Sequence, residues 1–365
     1  LRSSARLRRA CGARPRAYPA SCGAVLGKLK RALLAGRSAT HFAGSAMLEM
    51  LGAIVALIFK GVFIMALLPP VFLDAVVAIG FGDDPAKRQW IGTGFLFGKV
   101  VDPSIEESKR QYKIWLITNR HVLEGLKSIY IKFNSIQNTA SKDYKVELIA
   151  RNGKPRWIGH QNTNIDVASI IINPAFLKTE QRKFSFFRSE LNTMKYAEII
   201  NNQITEGDRI FVLGFPMGLV APDQQYVICR GGYLARIRDF KDKKSIDFII
   251  DATVFPGNSG GPVIICPSAI AIQGTKPILK ADLIGIVKSY VPYQDVALSQ
   301  QTRRPRIVFE ENTGLAIVES VDSILETIEL AEKRLKGRIA QVKSKEKKKL
   351  IQNNKNNATT APNKA

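Results

Sequence analysis

Short apolar runs separated by turn residues dominate the chain from Gly92 onward. Such runs, rich in β-branched and aromatic residues and bounded by Gly, Pro, Asn or Asp, are typical of strands. About a dozen of them with few helical stretches predict an all-β domain, built as a sandwich or as a pair of barrels. The clearest examples are GFLFGKV, KIWLITN, IYIKF, KVELIAR, DVASIII, RIFVLGF, IDFIIDATV, GPVIIC and RIVFEE.

The pattern changes to a helical period at the end of this domain. We expect Ser320 or Asp322 to cap a helix that follows the strand-like TGLAIVES. Its apolar positions recur at helical spacing, at Val321, Leu325, Ile328, Ala331 and Leu335.

A longer apolar stretch lies upstream of the domain. Residues 51–68 are apolar except for Lys60, whereas a membrane-spanning helix needs about 20 such residues and a central lysine costs about 3 kcal/mol. We interpret residues 47–80 as a membrane anchor or uncleaved signal, with residues 51–80 in the membrane and the following domain on the exported side. A cleaved signal, a helix packed on the protein, and a secreted or cytoplasmic location are the alternatives.

The formal net charge of +23 is concentrated at the two ends of the chain. Residues 1–46 carry ten basic and no acidic residues, and are either a transit-like leader or a non-native extension, since Met47 is the first methionine. Residues 336–365 read as a disordered solubilising tail, with anionic lipid or nucleic acid as alternative contacts. Residues 81–331 hold 32 basic and 27 acidic residues, so we do not expect the domain to bind nucleic acid.

Cysteine and histidine usage gives no sign of a metal site. Cys229 and Cys266 lie in strand-like runs, where free buried thiols are more common than a disulfide. The chain has three histidines and no CxxC motif, and neither a Walker A sequence nor a GxGxxG after a strand occurs. We expect no metal and no cofactor.

Candidate chemistry centres on one serine in the glycine-rich stretch FPGNSGGPVI, residues 255–264. Its three glycines and second proline disfavour both helix and strand, so the stretch is either a surface turn or a loop that presents Ser259. A serine hydroxyl becomes a nucleophile only beside a base, and that base needs a group that holds its tautomer.

Histidine suits the role of base because its pKa lies near 6.5. His41 lies in the leader and His160 in a polar turn, whereas His121 follows the strand-like WLIT at a domain surface. Asp166, at the head of the apolar run VASIII, is the candidate orienting acid, although it would also suit a turn cap. These candidates occur in the order His121, Asp166, Ser259.

In these local contexts the chain resembles the chymotrypsin-fold, or trypsin-like, serine peptidases, and within them the HtrA/Deg-like bacterial branch. The resemblance covers residues 90–335, roughly two thirds of the chain. It is carried by GTGFLF (92–97), LITNRHVL (116–123), NIDVASI (164–170), VLGFPMG (212–218) and IDATVFPGNSGGPVI (250–264), with support from LIGIV (283–287) and TGLAIVESVDSIL (313–325).

The resemblance implies a protease domain over residues 81–335, made of two six-stranded antiparallel β-barrels and a C-terminal helix. It assigns His121 as general base and then acid, Asp166 as the orienting carboxylate and Ser259 as the nucleophile. The backbone N–H groups of Gly257 and Ser259 would form the oxyanion hole. The implied activity is that of a serine endopeptidase, a hydrolase that cleaves protein or peptide substrates through an acyl-enzyme.

The chain also departs from the family. Asn258 precedes the serine where digestive members have aspartate, so activation by a freed N-terminus is not expected. Residues 336–365 are too few for the PDZ domain of most HtrA-like proteins, so we expect none. The sequence is compatible with a homo-oligomer and does not predict the number of subunits.

Substrate preference is the least defined property. Thr253, six residues before the serine, is expected near the floor of the specificity pocket, with Lys288, Ser289 and Tyr290 along its wall and substrate-pairing edge. Because Thr253 is not acidic, cleavage after Lys or Arg is not favoured. Lys288 and Tyr290 would narrow the pocket, so we expect small or medium apolar residues before the cleaved bond. The alternatives to an enzyme are a catalytically silent peptide-binding module of this fold and a basic-tailed binder of nucleic acid or membrane surfaces.

Overall fold

Two β-sheet assemblies follow one another in the computed structural model, which describes residues 67–268 and 276–337. The first is a half-barrel with strand order β5-β4-β1-β2-β3-β7-β6 and with β8 added in parallel to β2. Its helices are α1 (Pro70–Leu73), α2 (Arg120–Leu123) and α3 (Pro174–Thr179), and residues Glu107–Lys109 form a 3-10 turn. Its strands are β1 (Val76–Phe81), β2 (Gln89–Val100), β3 (Tyr112–Thr118), β4 (Ser128–Phe133), β5 (Lys142–Glu147), β6 (Ile158–Gly159), β7 (Ala168–Ile172) and β8 (Phe187–Arg188).

The second assembly is a closed antiparallel barrel with strand order β10-β11-β14-β13-β12-β9. Its strands are β9 (Arg209–Gly214), β10 (Ile228–Arg236), β11 (Asp247–Asp251), β12 (Pro262–Ile265), β13 (Asp282–Leu298) and β14 (Pro305–Ser320). Helices α4 (Tyr196–Asn201) and α5 (Arg238–Lys241) and a 3-10 turn at Pro216–Gly218 connect the strands, and residues 321–337 form the C-terminal helix α6.

A shared apolar core joins the two assemblies. Aromatic side chains of β2 and β3 pack in one cluster with residues of β9, β13 and α6. Full burial of each large apolar side chain stabilises the fold by about 1.5–3 kcal/mol. The loops at the junction are therefore attached to strands that share one apolar cluster. The cluster includes Phe95, Phe97, Trp115, Leu213, Leu283, Ile286, Ile324 and Ile328.

The predicted all-β class, with its closed six-stranded second barrel and C-terminal helix, is confirmed. In the first half, however, an open eight-stranded sheet forms instead of a closed six-stranded barrel. Ser320 caps α6, since its hydroxyl accepts the N–H of Ser323 at 3.4 Å. Asp322 instead accepts the N–H of Tyr196 at 2.8 Å and so ties α4 to α6.

The hydrophobic segment predicted at residues 47–80 ends inside the first sheet. Val76–Phe81 forms β1, whose first five residues are buried, and the preceding helix α1 has only four residues. No helix within residues 67–268 and 276–337 is long and apolar enough to cross a membrane. Residues 1–66 and 338–365 lie outside the described part, so the leader, most of the apolar segment and the tail stay predictions.

Both cysteines of the described domain are free thiols, as expected. Cys266 is buried at the end of β12, but Cys229 in β10 is exposed, against the expectation that both would be buried. The exposure of Cys229 fits the alternation of exposed and partly buried residues along β10, because successive residues of a strand point to opposite faces of the sheet.

Candidate active site

Strand pairing brings His121 and Asp166 together. Strand β3 pairs antiparallel with β7, and Thr118 lies opposite Ala168. His121 follows β3 in α2 and Asp166 precedes β7, so both lie at the same end of the pair. The Nδ1 atom of His121 lies 2.5 Å from Oδ2 of Asp166, and the backbone N–H of His121 donates to Oδ1 at 3.1 Å. Both carboxylate oxygens therefore hold the histidine.

The two side chains differ in exposure in the way that acid–base chemistry requires. The His121 side chain is 49% exposed and that of Asp166 is 18% exposed. Burial, the largest single influence, would raise the pKa of Asp166, but the hydrogen bonds and charge of His121 outweigh it and lower that pKa. Asp166 is thus ionised at neutral pH, and it accepts a hydrogen bond from Nδ1–H of His121, so the Nε2 atom carries the lone pair.

The serine loop connects β11 to β12, and hydrogen bonds hold its backbone. The N–H groups of Asn258, Gly260 and Gly261 donate to the carbonyl oxygens of Phe255, Val287 and Asn258, at 3.0, 3.0 and 2.8 Å. Among the described residues, the N–H groups of Gly257 and Ser259 have no protein acceptor. Two unused donors therefore stand on either side of Asn258, beside the serine hydroxyl.

The orientation of the Gly257 N–H follows from the peptide bond before it. The N–H of Met217 donates to the carbonyl oxygen of Pro256 at 2.6 Å. In a trans peptide the C=O and N–H groups point in opposite directions, so the N–H of Gly257 points away from Met217. Gly257 has a φ of +96°, a conformation that side chains rarely adopt.

Thr93 of β2 ties the serine loop to the first half of the domain. Its N–H donates to the carbonyl oxygen of Ser259 at 2.9 Å, and its hydroxyl donates to that of Gly257 at 2.6 Å. The same hydroxyl accepts the N–H of Phe215 at 3.1 Å. Thr93 is fully buried, so these bonds are shielded from water. One side chain thus connects the half-barrel that carries His121 to the loop that carries Ser259.

Gly92 lies between the side chain that follows His121 and the backbone of Ser259. A β-carbon placed on Gly92 would lie 2.8 Å from Cγ1 of Val122, the residue after the histidine, and 3.5 Å from the carbonyl oxygen of Ser259. Among the described residues, the Ser259 hydroxyl makes no hydrogen bond, including none to His121. Nucleophile–base bonds are often long without substrate and shorten in the reacting complex.

Gly260 cannot accept a side chain, and we expect Gly260→Ala to abolish activity and destabilise the fold by about 3 kcal/mol or more. Its φ is +85°, and a β-carbon would overlap the carbonyl oxygen of Thr93 and the hydroxyl of Thr118. Gly153 is the matched control, because its φ is +76° and a β-carbon there meets nothing within 4 Å. Urea unfolding and peptide hydrolysis should show a cost of about 1 kcal/mol and full activity for Gly153→Ala. Equal effects at both positions would contradict the steric argument.

The residues assigned to the specificity pocket lie on two segments. Thr253 is exposed after β11, and its carbonyl oxygen accepts Nη1 of Arg230 at 2.9 Å. Ser289 and Tyr290 lie in β13, where Tyr290 donates its hydroxyl to Glu310. Their assignment to a specificity pocket stays a prediction.

Lys288 has a different environment from the pocket wall predicted for it. Its ammonium group lies 2.9 Å from Oε1 of Glu319, and it donates to the carbonyl oxygen of Asn164 at 3.0 Å. Glu319 is completely buried, and Oε1 also accepts the backbone N–H of Asp166 at 3.1 Å. The side chain of Lys288 therefore belongs to a buried ion pair behind Asp166.

The ion pair changes the pKa of both groups. Burial raises the pKa of Glu319, and the hydrogen bonds from Lys288 and from the N–H of Asp166 limit that rise. Burial would lower the pKa of Lys288, but Glu319 and Asp247 outweigh it, so the pKa of Lys288 is raised. Glu319 and Lys288 therefore stabilise each other's charged form. The charged Glu319 carboxylate in turn accepts the backbone N–H of Asp166.

We expect Lys288→Met to destabilise the protein by about 3 kcal/mol at neutral pH, because it leaves the Glu319 carboxylate buried without a cation. The folded-state pKa of Glu319, already above its ordinary 4.5, would rise further. The folded state then binds more protons than the unfolded chain between these values, so the variant loses stability as pH rises through that window. Urea unfolding at several pH values measures this. The control Lys288→Met with Glu319→Leu should lack the pH dependence, and a loss independent of pH would contradict the argument.

His160 lies outside this cluster, as its sequence context indicates. Its Nε2 lies 2.9 Å from a carboxylate oxygen of Glu326 in α6, and its Nδ1 accepts the N–H of Asn162 at 3.0 Å. It therefore orders a turn against α6.

Several residues at the site carry no sequence signal strong enough to select them. Asn119 donates Nδ2 to the carbonyl oxygen of Asp166 at 2.6 Å, and Asn258 accepts the N–H of Phe255 at 3.3 Å. Glu319 is distant from Asp166 in the chain. All of them, like Thr93 in GTGFLF, lie within segments that carry the family resemblance, but no segment indicates which contact its polar side chain makes.

Residues 92–266 match the family described as trypsin-like peptidase domain, a little under half of the chain. The matched range contains His121, Asp166 and Ser259. The match supports the resemblance to the chymotrypsin-fold, trypsin-like peptidases, and it does not distinguish the HtrA/Deg-like branch.

No curated protein sequence matches the chain. Among solved structures, the apo protease domain of MamO from Magnetospirillum magneticum is similar over 71% of this chain and 97% of that chain. It shares 13% of its residues with this chain at a TM-score of 0.36. Similarity at this level carries no conclusion about activity.

Proposed function

We propose, from the premise that residues 92–266 form a trypsin-like peptidase domain, that this protein is a serine endopeptidase. The observation that carries the proposal is the pairing of His121 with Asp166 beside a serine loop that has two unused backbone donors.

In the proposed reaction, Nε2 of His121 takes the hydroxyl proton of Ser259 as Oγ bonds to the substrate carbonyl carbon. The carbonyl oxygen gains the negative charge and accepts the N–H groups of Gly257 and Ser259, where each such donor contributes about 2.7–4 kcal/mol. His121 then gives its proton to the leaving amine nitrogen, and the C–N bond breaks. The product of this step is an acyl ester on Ser259.

Hydrolysis of the ester repeats these steps with water. His121 removes a proton from water as its oxygen attacks the acyl carbon, and then returns a proton to Oγ of Ser259. Asp166 keeps its hydrogen bond to Nδ1 throughout and stabilises the imidazolium without taking its proton. The three side chains are thereby restored.

The proposed substrates are proteins or peptides with a small or medium apolar residue before the cleaved bond. Arg230 supports the exclusion of basic residues, because its guanidinium donates to Thr253 at the predicted pocket floor and lies 5.2 Å from the ring centroid of Phe255. A substrate Lys or Arg would meet this charge in a partly desolvated site.

A fluorophosphonate probe tests the proposal, because it forms a covalent bond only with an activated serine. The full chain in mild detergent should be labelled, and mass spectrometry of the peptides should place the label on Ser259. Heat-unfolded protein is the control for non-specific reaction. Absence of labelling in the presence of an unfolded protein substrate would favour the catalytically silent peptide-binding module.

A further inference from the structure

Strands β13 and β14 continue beyond the barrel as a two-stranded ribbon, defined here as residues 292–312. Inside the barrel, β13 pairs with β12 over 282–286 and β14 pairs with β11 over 315–319. In the ribbon the two strands pair only with each other, up to Leu298 opposite Pro305. The outer edge of β14 therefore has unpaired backbone groups along the ribbon.

The ribbon exposes several large apolar side chains to solvent. Its large apolar side chains are about half exposed on both faces of the two strands. A two-stranded hairpin alone is marginally stable in water, and an exposed apolar edge strand tends to pair with another chain. These features indicate that another surface covers the ribbon. The exposed residues are Tyr293, Val296, Leu298, Ile307, Val308 and Phe309.

The sequence of the outer strand is complementary to itself when two copies run antiparallel. Residues 306–310 read RIVFE, with Val308 at the centre. If Val308 lies opposite its own copy, then Ile307 lies opposite Phe309, and Arg306 lies opposite Glu310. Opposed residues of antiparallel strands share a face, so the two charged pairs and the apolar pairs all meet in this one register. Pro305 has no N–H and limits the pairing to this segment.

The charges of this segment lack opposite charges within the described part of the chain. Arg306 has no ion-pair partner there, and Glu310 accepts hydrogen bonds from Tyr290 and Gln294 but has no cation beside it. A second copy would supply both missing partners at once, with twofold symmetry.

We propose that this ribbon is a homodimerisation surface, in which residues 306–310 of two copies pair antiparallel about Val308. The proposal is independent of the catalytic activity, since the ribbon lies beyond Tyr290 and includes none of the proposed catalytic residues. The partner is a second copy of this chain, and the two copies pair in one register.

Two single charge reversals test the register. Arg306→Glu would place Glu opposite Glu310 twice in a homodimer, and Glu310→Arg would place Arg opposite Arg306 twice. We expect each variant alone to dissociate with a constant raised about tenfold or more. A one-to-one mixture of the two should dimerise like the unchanged protein, because both opposed pairs then have opposite charges.

Sedimentation of the full chain in mild detergent measures these states over a dilution series. Arg303→Glu is the matched control, because it reverses one charge of the ribbon outside residues 306–310 and should leave the dimer intact. Recovery in the mixture also shows that both variants are folded. The proposal is overturned if the unchanged protein is monomeric at its highest soluble concentration, if the single variants still dimerise normally, or if the mixture does not recover.

Discussion

Ser259→Ala is expected to lower kcat for peptide hydrolysis by about 10⁴-fold to 10⁶-fold. The variant keeps both backbone N–H donors, at Gly257 and at position 259, and the loop hydrogen bonds, since none of these uses the serine hydroxyl. It lacks the oxygen that forms the acyl-enzyme, so only binding and oxyanion stabilisation of direct water attack remain. Substrate binding should therefore change little while turnover is lost.

Single-turnover hydrolysis of a fluorogenic peptide library, followed by binding of the best substrate, separates turnover from binding. Ser104→Ala is the matched control, because Ser104 is an exposed serine whose hydroxyl bonds only to Asp102 at 2.6 Å. It should retain full activity. Undiminished hydrolysis by Ser259→Ala would assign the activity to another nucleophile or to a contaminating enzyme.

Asp166→Asn is expected to lower kcat by about 10⁴-fold with little change in the fold. In the unchanged protein, Asp166 accepts a hydrogen bond from Nδ1–H of His121 at 2.5 Å. An asparagine would place its NH₂ group there, because its oxygen is needed for the backbone N–H of His121 at 3.1 Å. The imidazole would then carry its proton on Nε2 and could not take one from Ser259.

The kinetic measurement is the rate of fluorophosphonate labelling together with kcat, because both need the Nε2 lone pair. Asp83→Asn is the control, since Asp83 pairs with Lys145 at 2.9 Å on the exposed surface. Asp166 also adds to stability above its ordinary pKa of 3.8, and this contribution is lost as pH falls through its lowered folded-state pKa. Unaltered labelling by Asp166→Asn would show that Asp166 does not control the tautomer.

The sequence alone predicts the parts of this protein that depend on local chemistry. The strand-like runs lead to the all-β class, and the period from Val321 to Leu335 leads to the helix at 321–337. The spacing of apolar residues is enough to predict these elements, because it indicates which face of a strand or helix is buried. Apolar composition does not distinguish a continuously buried strand from a membrane segment. For this reason β1 (Val76–Phe81) falls inside the segment that the sequence predicts for the membrane.

The serine loop depends both on its own sequence and on a contact with a strand far away in the chain. Its glycines are evident in the sequence, but the reason for Gly260 is the backbone of Thr93, which lies on a strand of the other assembly. Likewise, the sequence offers Lys288 as a pocket residue. The structure directs its ammonium group to Glu319 behind Asp166, because a buried carboxylate must find a cation.

The chain's local patterns are enough to predict an all-β domain, a C-terminal helix, and one histidine, one aspartate and one serine in contexts that suit a peptidase. Strand pairing in the folded domain establishes which of these residues are in contact. The pairing of β3 with β7 brings Asp166 to His121, and the antiparallel partner of β14 leaves residues 306–310 on an open edge. The physical reason is that such contacts join residues far apart in the chain, where strand register, and not local pattern, sets the distance.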